Sequence, residues 1–209
     1  VGLPSYPDNY FQLCIVDPPY GIGIENSGAM FKKFGETKGW DNEPPRKSYF
    51  EELFRVSKNQ IIWGGNYFLD HLGSTKCIIW WDKMNGTNMM ADGEMAWTSF
   101  SSHSRRFCMH HFSAGYGDKM HPTQKPEALY RWQATNYAKQ GDRILDTHVG
   151  SASSLVVYEE MGFEYVGYEL DKDYYRDSTA RLERFRAQPK LFTGKEIFEA
   201  TQGEQGKLF

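Results

Sequence analysis

The sequence predicts an α/β fold, with a mostly parallel β-sheet covered by helices on both faces. Short apolar runs alternate along the chain with segments whose apolar residues recur at helical spacing. Such alternation is typical of βαβ units, in which a helix returns the chain to the same end of the sheet. The 209 residues are enough for one domain with a sizeable core. We find no internal repeat and no linker that would divide residues 1–209.

The apolar runs and the chain breakers place the individual elements. Strands are predicted at Phe11–Val16, Gln60–Trp63, Cys77–Trp81, Glu94–Phe100, Arg143–Leu145 and Tyr165–Tyr168. Helices are predicted at 48–55, with Ser48 as the N-cap, and at 67–72, 126–139, 151–161 and 173–186. The segments without a clear period predict loops; they are 1–10, 21–47 (with one helical turn near 29–34), 84–92, 101–122 and the tail from Gln188.

The composition is that of an ordinary globular protein, with 40% hydrophobic and 24% charged residues. No apolar run approaches the roughly 20 residues that a membrane span needs. We see no secretory leader, although the chain begins at Val1 and residues can precede it. Cys14, Cys77 and Cys108 are scattered and stand in apolar surroundings. They predict buried, reduced thiols and a cytoplasmic location.

The end of the first strand carries a distinctive corner, Asp17-Pro18-Pro19-Tyr20. Two prolines cannot donate to a ladder and fix their own φ, so they end the strand and stiffen the corner. Asp17 precedes a proline and is therefore held extended. A carboxylate, a backbone carbonyl and an aromatic ring are presented at the carboxyl end of a strand, where open α/β sheets bind ligands. The alternative is that the proline pair only ends the strand and has no functional role.

A second segment predicts a turn that binds a nucleoside. Asp146 ends a strand, small residues through Gly150 and Ser151 lead into a helix, and the next strand runs to Glu169. An acidic residue about 20 positions after such a turn can accept hydrogen bonds from both ribose hydroxyls. The sequence lacks a P-loop, and it lacks Gly-x-Gly-x-x-Gly after this strand, which argues against nucleoside triphosphates and weakens dinucleotides. An ordinary βαβ turn is the alternative.

A third segment, His121-Pro122-Thr123-Gln124-Lys125-Pro126, lies between the other two. Alone, it would mark a helix start delimited by prolines. The three segments together resemble the amino-methyltransferases that use S-adenosylmethionine. Because the corner comes first and the cofactor turn last, the order resembles the permuted beta group of DNA adenine-N6 methyltransferases. The resemblance covers most of residues 10–186, and the segment 39–45 is similar to that of phage or prophage-borne members.

The resemblance implies a Rossmann-like methyltransferase fold, with a seven-stranded mixed sheet, permuted motif order, S-adenosylmethionine as cofactor and double-stranded DNA as substrate. Members are often dimers, so a homodimer is an expectation; the recognition sequence and any cognate restriction nuclease stay open. Thr123 and Lys125 would reach the methionine carboxylate, and Asp146 would lie near the methionine amino group. The candidate cofactor-binding residues are Asp17, His121, Pro122, Thr123, Lys125, Asp146, His148, Gly150, Ser151, Glu169 and Asp171.

Three features depart from the family pattern. His148 stands where the family's cofactor turn usually carries Phe, and Ala152 stands where it carries Gly. A ring and a small residue are kept, so we expect cofactor binding to survive. The family's usual N-terminal Gly-Asp strand is absent ahead of the corner. The chain is therefore either truncated or fills that sheet edge with its tail, which bears on the adenine end of the cofactor pocket.

The corner suits chemistry at an exocyclic amine, whose lone pair is conjugated into the base. Asp17 and the backbone carbonyl of Pro18 would accept its two N–H groups and free that lone pair, and Tyr20 would stack on the base. We therefore assign Asp17, Pro18, Pro19 and Tyr20 as the catalytic corner. The base must be flipped out of the duplex to reach it.

The net charge of −3 does not by itself indicate a nucleic-acid binder, but two local patches do. Residues 28–47 carry five basic and three acidic side chains, and residues 101–125 carry four basic and one acidic. Solvated surface is the plain alternative for either patch. We expect the loops 24–47 and 82–120 to contact DNA, and the candidate residues are Lys32, Lys33, Lys38, Arg105 and Arg106.

Other functions remain open at the level of sequence. Cytosine-N4 methylation uses the same chemistry, and Asp rather than Ser at position 17 favours adenine modestly. A non-catalytic DNA-binding module that keeps the fold would bind DNA without depending on Asp17. RNA or protein-glutamine methylation is less favoured. The histidines at 103, 110 and 111 with Cys108 fit no common structural zinc spacing, so we expect no metal.

Overall fold

The computed structural model describes residues 3–23, 41, 43–86, 91–110 and 124–205. Their strands are β1 (Phe11–Val16), β2 (Ser57–Trp63), β3 (Ile78–Asp82), β4 (Gly93–Thr98), β5 (Arg105–Cys108), β6 (Arg143–Asp146) and β7 (Glu164–Gly167). Their α-helices are α1 (Lys47–Val56), α2 (Leu69–Leu72), α3 (Glu127–Tyr137), α4 (Ser153–Glu160), α5 (Lys172–Arg186) and α6 (Gly194–Gln205). Short 3₁₀ turns occupy Leu3–Ser5 and Gly65–Tyr67.

The seven strands form one sheet in the order β5-β3-β4-β2-β1-β6-β7. β1 pairs in parallel with β2 on one side and with β6 on the other, and β6 pairs in parallel with β7. β4 is antiparallel to β2 and β3, whereas β3 is parallel to β5. The predicted seven-stranded, mixed and mostly parallel sheet is confirmed.

Helices cover both faces of the sheet, as the alternation of β1 requires. Leu13 and Ile15 are buried in a cluster with residues of α3, α4 and α6. Cys14 and Val16 are buried in a second cluster with residues of α1. Successive side chains of a strand leave opposite faces, so the two clusters are the two cores of a doubly covered sheet. No helix in the described ranges is long and apolar enough to cross a membrane.

One strand and one helix contradict the predicted loops. β5 lies within 101–122 and pairs in parallel with β3, from Ile79 opposite Arg105 to Asp82 opposite Cys108. The tail forms α6, whose Phe198 is buried and packs edge-to-face on Phe163 with ring centroids 5.3 Å apart. Because the described tail is helical, it does not fill the sheet edge with a strand.

Smaller corrections concern a helix start and a thiol. Ser48 is not the N-cap of α1, because the helix begins at Lys47 and Arg46 takes the cap position without a side-chain hydrogen bond. Cys108 is exposed on the edge strand, whereas Cys14 and Cys77 are buried; all three are free thiols. The other predicted elements are found within three residues of their predicted bounds. The helical turn predicted near 29–34 lies outside the described residues.

Candidate active site

The candidate site lies at the carboxyl ends of β1 and β6. The chain leaves β1 through α1 toward β2, and it leaves β6 through α4 toward β7 on the other side of the sheet. A crevice forms where neighbouring parallel strands send their connections in opposite directions, and ligands of open α/β sheets bind there. A cavity of about 360 Å³ occupies this position. The predicted site residues that line it are Asp17, Pro19, Lys125, His148, Gly150, Ser151, Glu169 and Asp171.

The catalytic corner holds Asp17 through both of its carboxylate oxygens. The Tyr20 hydroxyl donates to Oδ1 at 2.8 Å, and the Lys125 ammonium lies 2.5 Å from Oδ2. Burial raises the pKa of Asp17, and it outweighs the opposing effect of Lys125. The carboxylate is therefore fixed in direction and is a better proton acceptor than an exposed aspartate.

Tyr20 has a neighbour on one side of its ring. It stacks on Tyr67 with ring centroids 5.0 Å apart and an angle of 18° between the rings. The ring also lies against Gly64, where a Cβ atom would come within 2.2 Å of it. Gly64 has a φ of +67°, so both its conformation and its contact favour glycine. The predicted stacking on a base would need the ring face away from Tyr67.

Lys125 is held by two carboxylates, one of which the sequence did not single out. Its side chain is only 2% exposed, and its Nζ lies 3.1 Å from Glu94 Oε2 as well as close to Asp17. Glu94 in turn pairs with Lys83 at 2.5 Å. We call Asp17, Lys125, Glu94 and Lys83 the charged network, in which negative and positive groups alternate.

The two central groups of the charged network, Glu94 and Lys125, favour their ionised forms. Burial alone would raise the pKa of Glu94, but Lys125 and Lys83 lower it to about 2. Burial alone would likewise lower the pKa of Lys125, but Asp17 and Glu94 raise it above its ordinary value. Lys125 was predicted to reach the methionine carboxylate; the structure places its ammonium between Asp17 and Glu94, on the wall of the cavity.

The cofactor turn, residues 147–152, is held from inside by Asp146. This buried carboxylate accepts the backbone N–H of His148 at 2.9 Å and the Ser154 hydroxyl at 2.6 Å. Burial raises the pKa of Asp146 to about 7. Ala152 has a φ of +61°, the left-handed conformation that favours glycine, so alanine is held there at a conformational cost.

Glu169 faces the turn from the end of β7 and is fixed by backbone donors. The Gly150 N–H donates to Oε2 at 2.8 Å, and the Asp171 N–H donates to Oε1 at 2.9 Å. Each carboxylate oxygen keeps a lone pair for a further donor. Asp171 lines the same cavity and caps α5, since its Oδ1 accepts the N–H groups of Asp173 and Tyr174.

His148 is a neutral ring in the cavity wall. Burial lowers its pKa to about 4. Its Nδ1 lies 2.9 Å from the Thr147 hydroxyl, and Tyr49 packs edge-to-face on it with ring centroids 5.6 Å apart. His148 therefore occupies the predicted position with the packing of an aromatic residue.

A model of a DNA methylase family, the N6/N4 methyltransferases, matches residues 78–180. Over these residues, just under half of its length, the chain is similar to the N6/N4 DNA methylases. The matched range contains Glu94, Lys125, the cofactor turn and Glu169, and the catalytic corner precedes it.

Curated relatives match over shorter segments. Type II methyltransferase M2.DpnII of Streptococcus pneumoniae is 41% identical over 63 residues, which are 30% of this chain and 24% of that protein. Type II methyltransferase M.HpaI of Haemophilus parainfluenzae is 37% identical over 65 residues, which are 31% of this chain and 21% of that protein. The matches thus span about a quarter or less of these relatives' length.

Solved structures share the fold at low identity. The M1.HpyAVI complex with S-adenosylmethionine has a TM-score of 0.58 and 16% identity, and the likeness covers 83% of this chain and 89% of that one. The cytosine-N4-specific PvuII DNA methyltransferase has a TM-score of 0.55 and 14% identity, with 94% and 86% covered. The chain therefore has the Rossmann-like methyltransferase fold.

Of the other predicted residues, Pro18, Tyr20 and Asp146 are described but do not line the cavity. His121, Pro122 and Thr123 lie outside the described residues, and so do Lys32, Lys33 and Lys38. Arg105 and Arg106 lie on β5, the edge strand furthest from β7, and both are exposed. In the ranges that the structure describes, no three His, Cys, Asp or Glu side chains gather as a metal site.

Sequence reasoning also missed Arg181 of α5, which supports the cofactor turn. Its guanidinium donates to the Ser151 carbonyl at 2.6 Å and to the Ser153 hydroxyl at 3.2 Å. It also pairs with Glu127 of α3 at 2.7 Å. An arginine in a helix far along the chain gives no local signal of such a contact, because only the packing of α5 on α4 brings it to the turn.

Proposed function

We propose that the chain transfers a methyl group from S-adenosylmethionine to the exocyclic N6 amine of an adenine flipped out of double-stranded DNA, as a member of the permuted beta group. One observation carries the proposal: Asp17 opens into the same cavity whose other wall is the cofactor turn and Glu169. A carboxylate suited to an amine thus faces a site suited to a nucleoside. The family match over 78–180 supports methyl transfer.

The residues present fit S-adenosylmethionine. A cavity of about 360 Å³ is within the size range of small-molecule sites. Glu169 is anchored by two backbone donors and has lone pairs left for the ribose hydroxyls. Gly150 has a φ of +53° and no side chain, so a ligand can approach the backbone of the turn closely. Lys125, which lines the cavity, would hold the methionine carboxylate.

When bound, this cofactor supplies an electrophilic methyl group on a sulfonium. The chain's own residues act on the amine. Asp17 and the Pro18 carbonyl accept its two N–H groups and free the nitrogen lone pair; a charged hydrogen bond of this kind is worth about 1.5–3 kcal/mol. The proton that the amine loses can pass to Asp17, whose pKa burial raises. The rest of the rate comes from orientation and electrostatic placement.

The base and the duplex are held by different parts of the chain. Stacking of the base on the Tyr20 face away from Tyr67 would contribute about 1–3 kcal/mol. The basic residues Lys32, Lys33, Lys38, Arg105 and Arg106 are proposed to contact the phosphate backbone. Flipping is required because an enzyme cannot reach the amine inside a duplex.

Adenine is proposed over cytosine because position 17 is Asp. The fold does not separate the two, since the cytosine-N4-specific PvuII enzyme shares it. The separating experiment incubates the protein with labelled S-adenosylmethionine and mixed-sequence double-stranded DNA, then identifies the methylated nucleosides. N6-methyl-2′-deoxyadenosine supports the proposal, and N4-methyl-2′-deoxycytidine replaces it by the alternative. Cofactor binding without any transfer to DNA would contradict both.

We predict that Asp17→Ala lowers turnover by about 10²–10³-fold or more, because it removes the acceptor of the amine's hydrogens and proton. Cofactor affinity stays within a few fold, since Glu169 and the cofactor turn are unchanged. Single-turnover kinetics and calorimetric titration measure the two quantities. A non-catalytic DNA-binding module would instead show intact DNA binding with no activity in the unmodified chain.

A further inference from the structure

The charged network contains a carboxylate that neither the amine nor the cofactor needs. Glu94 lies on β4, in a part of the sheet separated from β1 by β2. Its Oε2 lies 3.1 Å from Lys125 Nζ, while the same Nζ lies 2.5 Å from Asp17 Oδ2. Lys83 is close to its other oxygen, Oε1. The ammonium of Lys125 therefore bridges Glu94 and Asp17.

We propose that Glu94 is a positioning residue of the methyl transfer: it shares the Lys125 ammonium with Asp17 and thereby keeps the Asp17 carboxylate available to the target amine. The inference rests on the proposed function and assigns a role to a residue outside the cavity wall. The Lys125 Nζ also lies 3.4 Å from the Tyr20 hydroxyl and over the Trp63 ring at 5.1 Å, so protein groups surround the shared ammonium on further sides.

Sharing matters because Asp17 must accept several donors at once. Tyr20 already occupies Oδ1 and Lys125 occupies Oδ2. A lysine with Asp17 as its sole anionic partner would bind it fully and weaken it as an acceptor for the amine. Because the Lys125 ammonium also pairs with Glu94, it stabilises the Asp17 carboxylate less strongly. The negative charge of Glu94 also opposes the ionisation of Asp17. Both effects keep Asp17 a stronger proton acceptor.

Other charged or titratable groups also face Asp17, and they are the same in the unmodified chain and in the Glu94 variants. They are Tyr20 of the corner, Tyr49 of α1, Lys125, Tyr130 of α3 and Asp146 of β6. Replacing Glu94 by glutamine removes one negative charge and leaves the shape. The acid limb of the turnover–pH profile should therefore move to lower pH, because Asp17 loses a repulsive neighbour.

The kinetic test compares Glu94→Gln and Glu94→Asp with a control on β7, Glu164→Gln, which changes a surface pair with Arg143 of β6. We expect Glu94→Gln to lower kcat by about tenfold and to shift the acid limb down, with KM for the cofactor unchanged. Glu94→Asp keeps the charge and should keep the limb. A residue that only packs would give the reverse order, because glutamine is the better isostere; that order, or an unmoved limb in Glu94→Gln, overturns the inference.

A second test does not depend on activity. Thermal unfolding is measured for Asp17→Asn, Glu94→Gln and the double variant. Each single change leaves Lys125 one carboxylate, whereas the double change leaves a buried ammonium without either. We expect the Tm of the double variant to decrease by about 4 °C more than the sum of the two single-variant decreases. Additive Tm shifts would overturn the inference that Asp17 and Glu94 share the Lys125 ammonium.

The two tests separate this inference from the proposed function. One outcome is that the unmodified chain methylates DNA while the acid limb of Glu94→Gln does not move or the Tm shifts are additive. In that case the role of Glu94 is contradicted and the proposed function stands. If the unmodified chain transfers no methyl group to DNA, the proposed function fails, and the reaction role of Glu94 fails with it. If Glu94→Gln does not fold, Glu94→Asp decides, since a lost or shifted profile in that variant contradicts a role that depends on charge.

Discussion

His148 shows how one residue of the cofactor turn responds to burial. The resemblance to the family predicts phenylalanine at this position, and the imidazole packs on Tyr49 as a phenyl ring would. Burial lowers the pKa of His148 to about 4, below the value of about 6.5 in an unfolded chain. Between these two values the unfolded state binds more protons than the folded state. Its contribution to stability is therefore complete above pH 6.5 and is lost as the pH falls toward 4.

We predict that His148→Phe gains stability relative to the unmodified chain as the pH falls. The advantage at pH 5 over pH 7.5 should be about 1–2 kcal/mol, because phenylalanine has no proton to take up on unfolding. Urea denaturation of both proteins at the two pH values measures it. Loss of the hydrogen bond to Thr147 changes the stability difference equally at the two pH values. Asp146 is present in both proteins, so its titration does not distinguish them. An equal difference at the two pH values would contradict a buried neutral histidine.

Single residues were predictable where a local pattern required them. Asp17 is fixed by the prolines that follow it, and Glu169 by its distance from the turn, and both line the cavity. Glu94 had no such pattern. It stands in a strand of alternating residues, and its contact with Lys125 arises only when β4 inserts between β3 and β2. A buried ion pair between distant segments depends on strand order, which spacing along the chain does not contain.

At the scale of elements, Arg181 joins three parts of the fold. It links α5 to the Ser151 carbonyl in the cofactor turn and to Glu127 at the start of α3. The turn is therefore held by Asp146 from one side and by a helix from the other. A ligand that needs close approach to Gly150 gains from a turn that is already ordered, since less conformational freedom is lost on binding.

We predict that Arg181→Leu weakens cofactor binding by about tenfold and lowers stability by about 2–4 kcal/mol, because it leaves Glu127 unpaired and the Ser151 carbonyl without its donor. Calorimetric titration and urea denaturation measure the two effects. Arg176→Leu is the matched control on the same helix: Arg176 is 68% exposed and pairs with Asp173 and Asp177. Its loss should cost less than about 1 kcal/mol. Equal effects of the two changes would contradict the role of Arg181.

The two missed elements explain what sequence patterns leave out. β5 has no apolar alternation, and three of its four residues are exposed, so only its backbone pairing with β3 makes it a strand. α6 has few apolar residues, but a local signal was present: Thr193 and Glu196 form a capping box, with the Glu196 carboxylate accepting the Thr193 N–H at 2.7 Å. α6 could therefore have been predicted from the sequence, whereas β5 could not.

At the scale of the whole molecule, strand order brings the site together. The catalytic corner and the cofactor turn are far apart along the chain, yet β1 and β6 are neighbours in the sheet. The alternation of strands and helices predicted the sheet but not which strands adjoin. Adjacency follows from the direction each crossover takes, and it decides that Asp17 and Glu169 face one cavity.

The charge of the whole molecule sets the last prediction. A net charge of −3 repels DNA on average, so binding must depend on local basic groups. Arg105 and Arg106 are exposed on the edge strand β5. If both contact phosphates, Arg105→Ala with Arg106→Ala lowers the slope of log affinity against log salt by about 2. Fluorescence anisotropy with duplex DNA across a salt series measures the slope, and Arg176→Ala serves as the control. An unchanged slope would remove β5 from the DNA-binding surface.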